Sequence, residues 1–346
     1  MKKRILIIQE HVPHYRKPLY NLLAIDYDLT IMHSSKVDFD EGCLYHKVFL
    51  EYIKVGPFKI QKQFFTHVFD GYDVIIAMSD FHWLLNILGV FYHPPKTKYF
   101  FWGSWVTNKY FIDRLKVFLA KRADANIFYC ERDRQSFLNK RVDSKKLFLA
   151  NNTVEVSKRI NASLHSEKKR ILFVGALDKR KELNTLIKAF KLIEPMIDKI
   201  IMLTIIGDGI CKNELMHLVQ DLNFTERVEF KGQINNTDEL SLYYLDSFAS
   251  VSYGQAGLSV LQSFAFGVPF ITKVTAISGG EKTNIINNFN GFFCDGSVED
   301  LSNKIFALCQ NVDLAKAMGR NSFDYYSENC TIENMAKGFK EAIDFS

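Results

Sequence analysis

Short apolar, β-branched or aromatic runs recur along the chain in two series, and they set the tightest limit on its fold. The first series is RILII (4–8), YDLTIMH (27–33), YDVIIAM (72–78), KYFFW (98–102), ANIFYC (125–130) and KLFLA (146–150). The second is RILFVG (170–175), IIMLTIIG (200–207), RVEFKG (227–232), FASVS (248–252), PFIT (269–272) and GFFC (291–294). Near-continuous apolar runs of this length read as strands buried on both faces of a parallel sheet. Helix-period segments lie between them: in NTLIKAFKLI (184–193), Leu186, Ile187, Phe190 and Ile193 share one face. Strand–helix alternation in two series predicts two doubly wound, Rossmann-like α/β domains. A chain of 346 residues is also too long for one compact core. The polar stretch NASLHSEKK (161–169) marks the expected seam. The predicted domains are residues 1–163 and 164–330, with 331–346 a terminal helix returning to the first. Ligands are expected in a cleft where the carboxyl ends of the two sheets face each other.

Bulk properties narrow the function. With 47% hydrophobic and 24% charged residues the profile is that of a soluble globular protein. A net charge of +5 is too small and too dispersed for a nucleic-acid binder. The start, MKKRILIIQEH, has only four apolar residues after its cations, too few for a secretory core. The apolar stretch FHWLLNILGVFY (81–92) is short and interrupted by His82 and Asn86, so no span is expected. The six cysteines form no C-x-x-C pair, which fits reduced thiols and a cytoplasmic protein.

Five features of the second half are collinear. They are VGALDKRKELNTLIKAF (174–190), IIGDG (205–209), RVEFKG (227–232), YGQAGLSVLQSFAFGVP (253–269) and GGEKTNIINNFNGFF (279–293). Their order resembles the carboxy-terminal domain of the retaining GT-B glycosyltransferases of family 4. The matching positions are Gly175-Ala176-Leu177 with Lys181, Gly207-Asp208-Gly209, Val228 to Gly232, Gly257-Leu258, Gly267-Val268-Pro269 and Asn290-Gly291. The resemblance implies a GT-B fold and transfer of a sugar from a nucleotide-sugar donor. It implies that Lys181 and Arg180 neutralise the departing diphosphate in place of a metal ion, so neither metal nor cofactor is expected. The alternative for the basic loop 179–181 is a solvated turn. The amides of Leu258, Ser259 and Val260, at a helix start reached through Gly257, would hold the same diphosphate beside Gly175.

Three departures bear on the donor sugar. The family's paired glutamates are Gly254 and Gln262 here, and its arginine after the strand glycine is Ala176. Gln262 still offers an amide to a ribose hydroxyl, and Gly254 offers backbone to the sugar. Glu281 is either a sugar or ribose ligand or an exposed loop acid. The Gly-x-x-Gly-Leu form resembles a subgroup that makes bacterial surface polysaccharides, lipopolysaccharide or capsule.

The first half is expected to hold a saccharide or lipid-linked acceptor. In HVPHYRKPLYNLL (11–23), His11, His14 and Arg16 cluster after the first strand, and Ser104 stands near the position of a family histidine. The D-x-D triplets at 26–28 and 38–40 read as turns rather than a metal-dependent site. Two segments mix cations with aromatics, PFKIQKQFFTHVF (57–69) and NKYFIDRLKVFLAKR (108–122). In the second, Phe111, Leu115, Phe118 and Leu119 form a stripe, with Lys109, Arg114, Lys116, Lys121 and Arg122 mostly beside it. They predict peripheral contact with an anionic membrane, unless the stripe packs on its own sheet. A catalytically inactive regulatory or scaffold subunit is the competing functional reading.

Overall fold

The computed structural model describes residues 1–35, 42–103, 110–156 and 159–345. The chain divides into two compact units, Met1–Asn152 with Ile332–Ser346, and Thr153–Thr331.

In the first unit the strands are β1 (Arg4–Ile8), β2 (Asp28–His33), β3 (His46–Phe49), β4 (Tyr52–Val55), β5 (Phe58–Gln61), β6 (Val74–Met78), β7 (Lys98–Gly103), β8 (Ala125–Phe128) and β9 (Leu147–Leu149). Seven of these described strands form one sheet in the order β3-β2-β1-β6-β7-β8-β9, parallel at every pairing. The apolar runs explain why both faces are covered. Ile5, Ile7, Val74, Ile76, Phe100 and Trp102 face one cluster, while Leu6, Ile8, Ile75, Ala77 and Phe101 face the other. Successive side chains alternate between faces, so a continuous run feeds two cores. The helix Ile332–Phe345 closes the first face through Met335, Phe339 and Ile343, with the Phe339 ring 4.9 Å from that of Trp102. Its Gly338 lies against the Leu149 carbonyl, where a Cβ would approach to 2.0 Å.

The hairpin β4–β5 is antiparallel and mostly exposed, and no apolar run announced it. It also divides the expected surface of 57–69. Phe64 is buried, Phe65 packs on the same core and Lys59 pairs with Glu10, while Phe58 and Phe69 are 40% and 56% exposed and Lys62 makes a surface pair with Glu51.

The second unit has β10 (Arg170–Val174), β11 (Met202–Ile206), β12 (Val228–Gly232), β13 (Ser247–Val251), β14 (Phe270–Lys273) and β15 (Gly291–Cys294). Their order is β12-β11-β10-β13-β14-β15, again parallel. The helix Leu183–Ile193 buries Leu186, Ile187, Phe190 and Ile193 on one sheet face, as its period predicts. The chain leaves β10 toward β11 and β12, then returns to lay β13 on β10's other side. Loops leaving β10 and β13 therefore diverge, which makes this the crevice-forming point of the sheet.

The seam between the units precedes the polar stretch expected to carry it. Ala162 is fully buried and its amide donates to Phe266 O at 2.9 Å, so residues 161–164 belong to the second unit. Among the described residues, no helix is long and apolar enough to cross a membrane.

Candidate functional site

The loops after β10 and β11 meet backbone to backbone. Gly207 has φ +143°, and a Cβ there would lie 1.8 Å from Gly175 O. The Gly175 amide donates to Ile206 O at 3.0 Å and the Leu177 amide to Asp208 O at 2.9 Å. The result is a floor of main chain beneath a cavity of about 250 Å³ lined by Gly175, Ala176, Asp208, Gln233 and Asn235.

Lys179–Lys181 follows as one tight turn. The Asp178 carboxylate caps it by accepting from the Arg180 amide at 2.9 Å, and pairs with the Arg180 guanidinium at 2.7 Å. That guanidinium holds the Asp178 carboxyl below its ordinary range. Arg180, expected to share the work of Lys181, is instead an exposed cation already engaged by its own cap. Lys181 differs. Its ammonium makes no hydrogen bond or ion pair among the described residues, and its Cε lies 3.8 Å from where a Gly175 Cβ would be. Burial pulls its pKa below that of an ordinary lysine, while Asp178 and Glu281 act in the opposite direction.

Gly254 has a packing role beside the expected one. Its amide donates to Lys181 O at 3.1 Å and is taken, while its carbonyl accepts from the Ile277 amide at 2.9 Å and keeps a second lone pair. A Cβ at this position would stand 2.3 Å from Arg180 O and 2.7 Å from Glu182 Cγ. Glu182, in the left-handed region at φ 51°, pairs with Lys273 Nζ at 2.5 and 2.7 Å, tying the basic turn to the end of β14. Residue 254 must be small because this loop is pressed against it.

At Gly257 a Cβ would meet nothing within 4 Å, so space opens at the start of the helix Ser259–Ala265. The Val260 amide is taken by Gly257 O at 3.0 Å, whereas those of Leu258 and Ser259 have no acceptor among the described residues. Gln262 Oε1 accepts a long 3.4 Å bond from Tyr244 Oη. Glu281 is 5% exposed, which excludes the exposed loop acid, and it accepts from Ser278 Oγ at 3.1 Å. Asn290 is structural: it accepts from the Ile286 amide at 2.7 Å and donates to Asn284 O at 3.1 Å.

In the first unit, His11 and His14 are exposed and Arg16 is buried. The Arg16 guanidinium lies 5.1–5.3 Å from the ring centroids of Tyr15, Trp102 and Tyr129. Its acceptors are Asn152 Oδ1 and Met335 Sδ. His11 and Arg16 line one cavity of about 150 Å³, and His14 stands outside its lining. Ser104 lies outside the described residues.

Residues 156–324 match the family model described as Glycosyl transferases group 1. The chain has the GT-B fold, and its second unit carries the glycosyltransferase group 1 match. An uncharacterized glycosyltransferase of Methanocaldococcus jannaschii is 23% identical over 97% of this chain and 82% of its own length. A poly(ribitol-phosphate) α-N-acetylglucosaminyltransferase of Staphylococcus aureus is 22% identical over 66% of this chain and 44% of its own. In fold, the chain resembles Anabaena HepE solved in complex with UDP, at a TM-score of 0.74, 14% identity and 99% coverage of both chains.

In the second unit the predicted positions Gly175, Lys181 and Gly254 converge around one turn, with Glu281 acting on Lys181 electrostatically. Sequence reasoning missed the Glu182–Lys273 pair. The partners are 91 residues apart, and although Glu182 lies within the 174–190 stretch, only the sheet order β10-β13-β14 could reveal the pair.

Proposed function

We propose that this glycosyltransferase moves a sugar, with retention and without a metal ion, from a nucleotide-sugar donor to a saccharide or lipid-linked acceptor of surface-polysaccharide synthesis. The observation that carries the reading is the Lys181 ammonium, unpaired and half-buried at the carboxyl edge of β10 beside the Gly175–Gly207 floor. A desolvated cation there stabilises a leaving diphosphate, and it does so more strongly than an exposed one would. The amides of Leu258 and Ser259 are the second set of donors for the same group. In the retaining step the bond from the anomeric carbon to the phosphate oxygen breaks as the acceptor oxygen bonds on the same face. The acceptor proton passes to the departing phosphate oxygen, so no protein base is required. The S. aureus relative, named for transfer to poly(ribitol-phosphate), supports a polymer acceptor, and the UDP bound to HepE supports a nucleotide donor. Packing at Gly254 also explains why a small residue stands where the family has a glutamate.

A panel of UDP-, GDP- and dTDP-sugars tests this by thermal shift and turnover. A ligand at a hundredfold its dissociation constant adds about 2.7 kcal/mol, or on the order of 5 °C or more in Tm. One nucleotide class should shift the melt, and turnover of that sugar should persist in excess EDTA. Binding without turnover would support the inactive-subunit reading, and rescue by manganese after chelation would remove the metal-independent mechanism.

Acceptors on lipid carriers would bring the enzyme to an anionic leaflet through the helix Tyr110–Arg122. Phe111, Leu115 and Phe118 are 83%, 45% and 55% exposed, with Arg114, Lys121 and Arg122 also at the surface. The expected stripe is corrected at two points: Leu119 is buried in the core, and Lys116 is buried with its ammonium 5.8 Å from the Phe81 ring centroid. Each surface cation near an anionic leaflet adds about 1 kcal/mol. Sedimentation with vesicles should show binding that rises with anionic lipid, falls with salt and drops in the double variant Phe111→Ser, Phe118→Ser. Salt-insensitive or absent binding rejects the contact.

A further inference from the structure

Two carboxylates bracket Lys181 in sequence, and each is held by a different cation. Asp178 pairs with the Arg180 guanidinium at 2.7 Å, inside the basic turn. Glu182 receives the Lys273 ammonium on both oxygens, at 2.5 and 2.7 Å, from the end of β14. The charges that act on Lys181 among the described residues are Asp178, Arg180 and Glu281. Glu182, its neighbour in sequence, is not one of them: its carboxylate is turned toward Lys273. That side chain runs across Gly254, with Cγ and Cδ 2.7 and 2.9 Å from where a Gly254 Cβ would be. Glycine would take the φ of 51° at this position without strain, so the Glu182 side chain stands there against a local cost.

An ammonium that already holds a carboxylate must release it before it can meet a diphosphate. Lys181 is spared that exchange. Both partners of the Glu182–Lys273 pair are partly covered, with side chains 36% and 18% exposed. Removing one partner of such a pair leaves the other charge desolvated and in need of a counter-charge. Without Lys273, the half-buried ammonium one residue before Glu182 is the counter-charge at hand. The exposed Lys179 offers less, since solvent screens it.

We propose that Lys273 is a positioning residue: by holding the Glu182 carboxylate, it keeps the Lys181 ammonium unpaired and available to a diphosphate. The diphosphate rests on the glycosyl-transfer reading above; the division of charges rests on the geometry alone.

The test is trace acetylation of the full chain with acetic anhydride across a pH series, read residue by residue by mass spectrometry. Only an uncharged amine reacts, so the labelling curve reports the protonation of Lys181 with no nucleotide present. Lys179, exposed in the same turn, is the internal reference. In the parent, burial makes Lys181 lose its proton at a lower pH than an ordinary lysine. Lys273→Met removes the ammonium and keeps the stem. An opposite charge within about 4–6 Å favours the protonated form, so Lys181 labelling at a fixed pH should fall about tenfold while that of Lys179 stays. Affinity for whichever of UDP, GDP and dTDP binds the parent should fall by a similar factor. Lys273→Met combined with Glu182→Gln should restore both, since no carboxylate is left to take Lys181. Lys273→Arg should match the parent. A tie that merely braces the loop would leave the double variant as impaired as Lys273→Met. Should Lys273→Met fail to fold, Lys273→Gln, whose amide still donates to Glu182, should show the same shift at smaller size. Unchanged Lys181 labelling, a shift at Lys179 instead, or a double variant no better than the single would each overturn the proposal. Unchanged labelling in a chain that transfers sugar rejects only the role of Lys273. The expected labelling in a chain that binds no nucleoside diphosphate rejects the glycosyl-transfer reading and, with it, the role in transfer.

Discussion

Lys181→Ala is expected to lower turnover on the order of a hundredfold, the scale of removing one preorganised donor from a developing oxyanion. Lys181 is placed by the main chain around it. The Asp178 cap shapes the turn, the Gly254 amide holds the Lys181 carbonyl, and Gly175 leaves room for the stem. Stability should change little, because the ammonium holds no partner whose loss would strand a buried charge. Arg180→Ala should cost much less, since the guanidinium is already paired with Asp178 in solvent. Burial lowers the Lys181 pKa, so the protonated form is lost at a lower pH than in an ordinary lysine. Donor affinity should therefore weaken as pH rises through that range and recover when it falls. Equal turnover of the Lys181→Ala and parent enzymes would reject Lys181 as the diphosphate cation.

Gly254→Ala is expected to damage both stability and turnover. Its methyl would stand 2.3 Å from Arg180 O, and the backbone there is pinned by the Gly254–Lys181 hydrogen bond and the Glu182–Lys273 pair. Overpacking of this kind costs about 1–3 kcal/mol. Whatever yields carries Lys181 with it, so kcat should fall even where the protein remains folded. Gly257→Ala is the control: its Cβ would meet nothing within 4 Å, and denaturant midpoints should barely move. Gly254→Glu, which restores the residue common in the family, should fare worse than alanine. A Gly254→Ala protein with parental stability and turnover would show that the loop can give way.

The strands of both sheets were legible as apolar runs because a strand covered on both faces cannot hide its composition. RILFV at 170–174 and SFASV at 247–251 are buried on both sides of the second sheet. The hairpin β4–β5 was illegible for the opposite reason. It is exposed, it lies off the main sheet, and its two four-residue strands mix cations with apolar residues rather than forming an apolar run. The seam was misplaced because the polarity of 161–169 reported solvent-facing side chains, while Ala162 anchored the segment to the second core.

At the site, the same division holds. Sequence alone determined which residue types were available: a basic turn after a strand glycine, a small-residue approach to a helix, and a cluster of cations after the first strand. It could not separate Arg180 from Lys181, or distinguish a glycine that meets substrate from one that meets a carbonyl. Those distinctions are three-dimensional. A cap carboxylate claims one cation and leaves the other, and the neighbouring strands β10 and β13 press residues 180–182 against residue 254.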